Sequence, residues 1–150
     1  MVNIKKALPH ILLPILAAGI VNAVIYTQKW NDKPMDKETS KLLPPGYAIA
    51  IIWIFILGLL GYIHYLVYPS NVSYFIMAVI LYCLAYPFLT AGLDAERSGI
   101  YNIIAFVLAF AVTTSVYLQK NAKNPTVFTL PFLIWTGYVA GITIKQFNGI

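Results

Sequence analysis

GYAIAIIWIFILGLLGYIHYLVY, residues 46–68, contains no Asp, Glu, Lys or Arg. A hydrocarbon core about 30 Å thick takes about 20 helical residues to cross, and this segment has that length without one formal charge. Backbone left unpaired in lipid is prohibitive, so such a run reads as a transmembrane helix. Working outward, four more uncharged runs appear at 7–27, 72–93, 100–118 and 126–144. Together they imply an all-α membrane protein, a five-transmembrane-helix bundle that crosses its membrane several times.

Composition agrees. The chain is 60% hydrophobic and 10% charged, whereas soluble domains carry about 25% charged residues. Residues 1–150 are read as one transmembrane domain, with no room for a second. Lys5 and Lys6 before the first run, and the small Ala17, Ala18 and Ala23 within it, also resemble a signal peptide, but the run is longer than a usual signal core. The lone Cys83 lies inside the third span, has no internal disulfide partner and reads as a small packing residue.

The net charge of +5 comes from basic residues scattered through the termini and loops. They read as membrane-flanking anchors beside lipid headgroups rather than a nucleic-acid surface. Five spans put the ends on opposite faces. Lys5, Lys6, Lys120 and Lys123 share the N-terminal face, and Lys29, Lys33, Lys37, Lys41, Arg97 and Lys145 the other; this near balance sets no orientation under the positive-inside rule. Asp32, Asp36, Glu38, Asp94 and Glu96 all fall on the second face. With no acidic residue inside a span, a coupling-ion site is not visible and ion-driven transport is not expected.

The connections 69–71, 94–99 and 119–125 are short enough to force antiparallel neighbours, while residues 28–45 form one long polar segment, expected to lie over one mouth of the bundle as a lid. Pro44, Pro45 and Gly46 end it and open the second helix. Counting 1.5 Å per residue puts Trp53 about 10 Å below the long-loop face. Asn22 arrives at a similar level from the other side, Phe88, Asn102 and Thr143 fall in the same half, and Trp135 lies near the midplane. Polar and aromatic side chains thus gather beneath the longest loop, where a mostly apolar small-molecule pocket is expected. The alternative is an interfacial aromatic belt with Asn and Thr bonding between helices.

Pro44-Pro45-Gly46-Tyr47, with Trp53 and then Gly61, resembles the PPG-x(6)-W-x(7)-G opening of the second helix in the translocator protein family, TspO/MBR, once called the peripheral benzodiazepine receptor. Leu130-Pro131-Phe132-Leu133-Ile134-Trp135 is similar to that family's fifth-helix signature, and Trp30 occupies a plausible family position in the first loop. The resemblance implies a five-helix bundle that binds porphyrins, isoquinoline-like drugs or sterols in a pocket closed by the first loop. It implies that Trp53 and Trp135 line that pocket, that Tyr47 sits at its mouth, and that Pro44 and Pro45 form the hinge. A pair of indoles suits a flat macrocycle through stacking.

This chain departs from the family pattern at Ala85 and Phe88, where an Asn and a Trp are usual, at Asn102 in place of an Asp, and at Thr143 in place of an Asn. The resulting pocket is more neutral. A sterol motif is not recognisable near Thr143 to Phe147, and the matching pattern at Val112, Tyr117 and Lys120 is weak.

His10 and His64 fall near the N-terminal face at similar depth, which raises axial ligation of haem iron, but at the end away from the pocket; the plainer reading is interfacial hydrogen bonding. No other metal-ligand cluster is visible. Pro14, Pro87 and Pro131 each free a carbonyl one turn earlier and bend their helices. Gly58 with Gly61, and Gly137 with Gly141, allow close helix packing within one bundle or in a homodimer, the latter favoured by the resemblance.

The expected function is binding of a hydrophobic planar molecule, a porphyrin or haem and alternatively a sterol, with no cofactor required. Light- or oxidant-dependent porphyrin breakdown through the tryptophans is the enzymatic alternative, and a ligand-free assembly subunit the third.

Overall fold

The computed structural model describes residues 3–30, 41–119 and 125–147. Its five long helices are α1, Ile4–Thr27; α2, Gly46–Val67; α3, Asn71–Thr90; α4, Ala95–Leu118; and α5, Leu130–Phe147. A 3-10 turn, Pro125–Thr129, leads into α5. All five are long and apolar enough to cross a membrane, and the fold is an all-α integral-membrane bundle with no strand among the described residues.

Local chemistry sets the helix starts. Asn3 accepts a hydrogen bond from the Lys6 N–H and starts α1 ahead of the uncharged run. Asp94 does the same for the Arg97 N–H at 2.8 Å, so α4 begins one polar turn before the apolar stretch, with Glu96 at the positive end of the helix dipole. Ser70 and Ser73 form a reciprocal capping box at the start of α3. Pro45, with φ −59° and ψ 151°, precedes α2 without a side-chain cap.

Consecutive helices pack on one another, most extensively α1 on α2 and α4 on α5, while the 3-10 turn wedges between α2 and α4. The large fully buried aliphatic and aromatic side chains on the helices are Ile56, Leu60 and Ile63 on α2, Ile76 and Val79 on α3, Val112 and Val116 on α4, and Phe132 on α5. By chain direction every one of them except Ile56 lies well into the half of the bundle nearest the N-terminal face, and Ile56 stands at its edge. That half is solid. α1 is the most peripheral element, with 11% of its apolar window buried against 28% to 33% for the other helices. Exposed Leu, Ile and Phe on the outer faces meet lipid.

Glycine decides the closest approach. A Cβ on Gly61 would overlap the His10 carbonyl oxygen, and one on Gly58 would stand 3.0 Å from Ile15 Cδ1. Pro14, one turn after His10, has no N–H to offer that carbonyl, so the oxygen is free to lie against the Gly61 backbone, a setting in which Cα–H···O contacts recur between helices. Gly58 and Gly61 therefore pack within the chain, as does Gly137, whose Cβ would stand 3.1 Å from the Phe106 ring. Gly141 faces open space.

Candidate ligand-binding site

Beneath the long-loop face, α1, α2 and α3 line a cavity of about 470 Å³. Three helical stripes wall it: Ala18, Val21, Asn22 and Ile25 on α1; Gly46, Ile49, Ala50, Trp53 and Leu57 on α2; and Cys83, Tyr86, Pro87 and Thr90 on α3. Each stripe keeps the spacing of three or four residues that places side chains on one face of a helix. Tyr26, Tyr47 and Ile51, all exposed, rim the mouth.

Trp30 reaches the cavity through the end of α1. Lys29 adopts a left-handed backbone, φ +54°, just beyond the helix C-terminus, a turn that usually falls to Gly or Asn. The chain reverses there, and the Trp30 ring meets Phe88 edge-on with centroids 5.5 Å apart. Trp53 packs edge-on against Phe132 of α5, centroids 6.3 Å apart, which fixes the cavity's inner wall with an aromatic contact across the bundle.

A polar relay stands behind the α3 wall. The Tyr86 hydroxyl donates to Asn102 Oδ1 at 2.5 Å, Asn102 Nδ2 donates to Thr143 Oγ1 at 3.1 Å, and the Thr143 hydroxyl donates to the Val139 carbonyl at 3.1 Å. Each group finds a partner, as buried polar groups must, and α3, α4 and α5 are tied at one level. Thr90 donates back to the Tyr86 carbonyl at 3.0 Å. Among the described residues, none that lines the cavity is Asp, Glu, Lys, Arg or His; Lys29 and Lys41, both exposed, lie outside it. The site offers π faces, methyl groups, hydroxyls and one carboxamide, Asn22. Its chemistry is that of shape and stacking.

The residues expected from sequence divide into two groups. Asn22, Trp30, Gly46, Tyr47 and Trp53 line the cavity. Ala85, Phe88, Asn102, Trp135, Thr143, Pro44 and Pro45 do not: Asn102 and Thr143 form the relay behind the wall, Phe88 is half-exposed and supports Trp30, and Ala85 stands off the stripe of 83, 86, 87 and 90. Trp135 lies on α5, whose main partner is α4, with its ring 6.1 Å from that of Tyr138. Its indole N–H is buried and has no hydrogen-bond partner among the described residues. The structure therefore does not bring Trp53 and Trp135 together on one cavity wall; Phe132 is the aromatic that meets Trp53. Tyr86, Thr90 and Cys83 are the wall residues that sequence reasoning passed over, and the periodicity of α3 around Pro87 was the signal that marks them.

The Tyr138 hydroxyl donates to the Leu42 carbonyl, tying the exit of the long loop to α5. Residues 31–40, and with them most of the expected lid and its charges Asp32, Lys33, Asp36, Lys37 and Glu38, lie outside the described residues, as do Lys120 and Lys123. No group of three or more His, Cys, Asp or Glu side chains that could hold a metal occurs among the described residues. His10 and His64 pair with each other at the opposite end of the bundle, Nδ1 to Nδ1 at 2.8 Å, a gap too narrow for a porphyrin plane.

No curated protein and no solved structure matches the chain. The model of the TspO/MBR family does, over residues 10–147. With a five-span bundle and a match that covers nearly its whole length, the chain belongs to the TspO/MBR family of integral membrane proteins.

Proposed function

We infer that this protein binds a hydrophobic, planar small molecule of the porphyrin or haem type, with sterols as the alternative ligand class, between α1, α2 and α3. The observation that carries this reading is the aromatic-walled cavity of about 470 Å³, within the size range of small-molecule sites, set toward the long-loop face of the bundle. Trp53 and Trp30 supply π surface, Tyr47 and Tyr26 flank the mouth, and the Tyr86 relay keeps the α3 wall in place. Family membership supports a membrane protein of translocator type. The ligand comes and goes at the long-loop face, beside Trp30 and Gly46.

Titration of purified protein with protoporphyrin IX tests the reading through tryptophan fluorescence. Of the three tryptophans, two line the cavity. Saturable quenching is expected, with affinity falling at least tenfold, about 1.4 kcal/mol, in Trp53→Ala and changing little in Trp135→Phe. Quenching that never saturates, or that survives Trp53→Ala unchanged, removes the cavity as the site. The homodimer implied by the resemblance belongs to the same reading, and a light-scattering mass in detergent tests it.

A further inference from the structure

The end of the α1–α2 seam away from the cavity carries two imidazoles that the ligand site does not use. His10 on α1 and His64 on α2 are the chain's two histidines. Their Nδ1 atoms are 2.8 Å apart. The ring centroids are 4.9 Å apart with planes tilted by 35°, so the rings meet nearly head-on, nitrogen to nitrogen. A metal ion in line between two imidazoles would spread those nitrogens to about 4 Å, at about 2 Å per bond. A separation of 2.8 Å is instead the length of a hydrogen bond between the two rings.

We propose that His10 and His64 form a proton-operated clasp on the α1–α2 seam, closed while the two rings share one proton and released when both Nδ1 atoms are protonated. In the closed state one Nδ1–H donates and the other Nδ1 accepts. Adding one proton at the far nitrogen of the donor ring leaves this bond intact and makes it charge-assisted. A second proton removes the only acceptor and sets two cations face to face.

The groups around the clasp do not offset that repulsion. The Tyr65 ring faces His10, centroids 5.5 Å apart, and the Tyr68 ring faces both histidines, at 5.9 Å and 5.7 Å. No carboxylate, Lys or Arg among the described residues bonds to either imidazole. Lys5 and Lys6, exposed at the start of α1, add positive charge at this face.

Position gives the clasp its effect. His64 lies one turn beyond Gly61, where the His10 carbonyl lies against the α2 backbone, so the pair sits at the apex of the α1–α2 seam, the end away from the cavity. Release there loosens the seam and shifts α1 relative to α2.

The test uses full-length protein in lipid nanodiscs, without ligand, so its outcome is independent of the porphyrin titration. With imidazoles labelled in ¹⁵N and two histidines in the chain, a nitrogen–nitrogen coupling through the shared proton is expected at neutral pH in the wild-type protein. It should vanish as pH falls from about 8 to about 4.5, a range that brackets imidazole titration. In parallel, nitroxides at Leu16→Cys and Phe55→Cys, in a Cys83→Ser background, should report an α1–α2 distance that shifts by a few ångström over the same range. The shift should be absent when His10→Phe and His64→Phe are combined. No coupling at neutral pH, a distance that ignores pH, or the same shift in the doubly substituted protein would each overturn the proposal; the coupling measurement needs no variant.

Discussion

The two halves of this bundle are made from the same five helices and differ in what meets at the axis. Toward the N-terminal face, Leu60, Ile63, Ile76, Val79, Val112, Val116 and Phe132 are fully buried, and Gly58 and Gly61 let α1 settle onto α2. Toward the long-loop face the α2 side of the seam presents Trp53, and α1 stands off around the cavity. A hollow in a membrane bundle thus needs no special backbone. Close approach at Gly58 and Gly61 marks the apex of the α1–α2 seam, and the cavity lies at the other end, where α3 closes the third wall.

The strongest way to break this contrast is at the apex. Gly61→Ala places a methyl group on the His10 carbonyl, a backbone atom that cannot rotate aside, and is expected to cost about 3 kcal/mol, the upper part of the overpacking range. Reversible unfolding in mixed micelles reads that loss. The mouth half should respond next. Asn102→Ala leaves the Tyr86 hydroxyl without its acceptor and should cost about 2 kcal/mol, and the porphyrin titration should weaken with it because the α3 wall is no longer tied to α4 and α5.

The two remaining changes should stabilise. Lys29→Gly relieves a left-handed backbone at a non-glycine residue, and a gain of about 1 kcal/mol is expected in the same unfolding assay. Gly141→Ala, with open space around the added methyl, should gain about 0.5 kcal/mol from helix propensity alone. An equal penalty for Gly61→Ala and Gly141→Ala would dissolve the distinction between a glycine that packs and one that merely faces out.

What could be read ahead of the structure, and what could not, follows the same geometry. Charge-free length marks the spans, and 1.5 Å per residue ranks Asn22 and Trp53 at one level, so the half that holds the cavity was legible. Azimuth was not. Depth counting treats Ala85, Tyr86, Pro87 and Phe88 as near equals, yet only Tyr86 and Pro87 point with Cys83 and Thr90 into the cavity. Trp135 shows the same limit from the other side: its level on α5 is close to that of the site, but α5 leans on α4 and carries the indole away. The motif around Pro44, Pro45, Gly46 and Trp53 located one wall, since those residues open the very helix that borders the hollow. Helix boundaries slipped where capping by Asn3 and Asp94 drew polar turns into α1 and α4, a short-range effect that hydropathy does not register.

The peripheral position of α1 carries one more consequence. Its uncharged run, residues 7–27, is about 32 Å long at 1.5 Å per residue, close to the roughly 30 Å of a typical hydrocarbon slab, and little of it is buried inside the protein. In a thinner bilayer such a run is too long, and the resulting hydrophobic mismatch is relieved by tilting. Bilayer thickness is thereby a mechanical input to the mouth: a thin membrane leans α1 further and a thick one draws it upright, so the acyl-chain length of the host lipid belongs among the variables of any affinity measured on this protein.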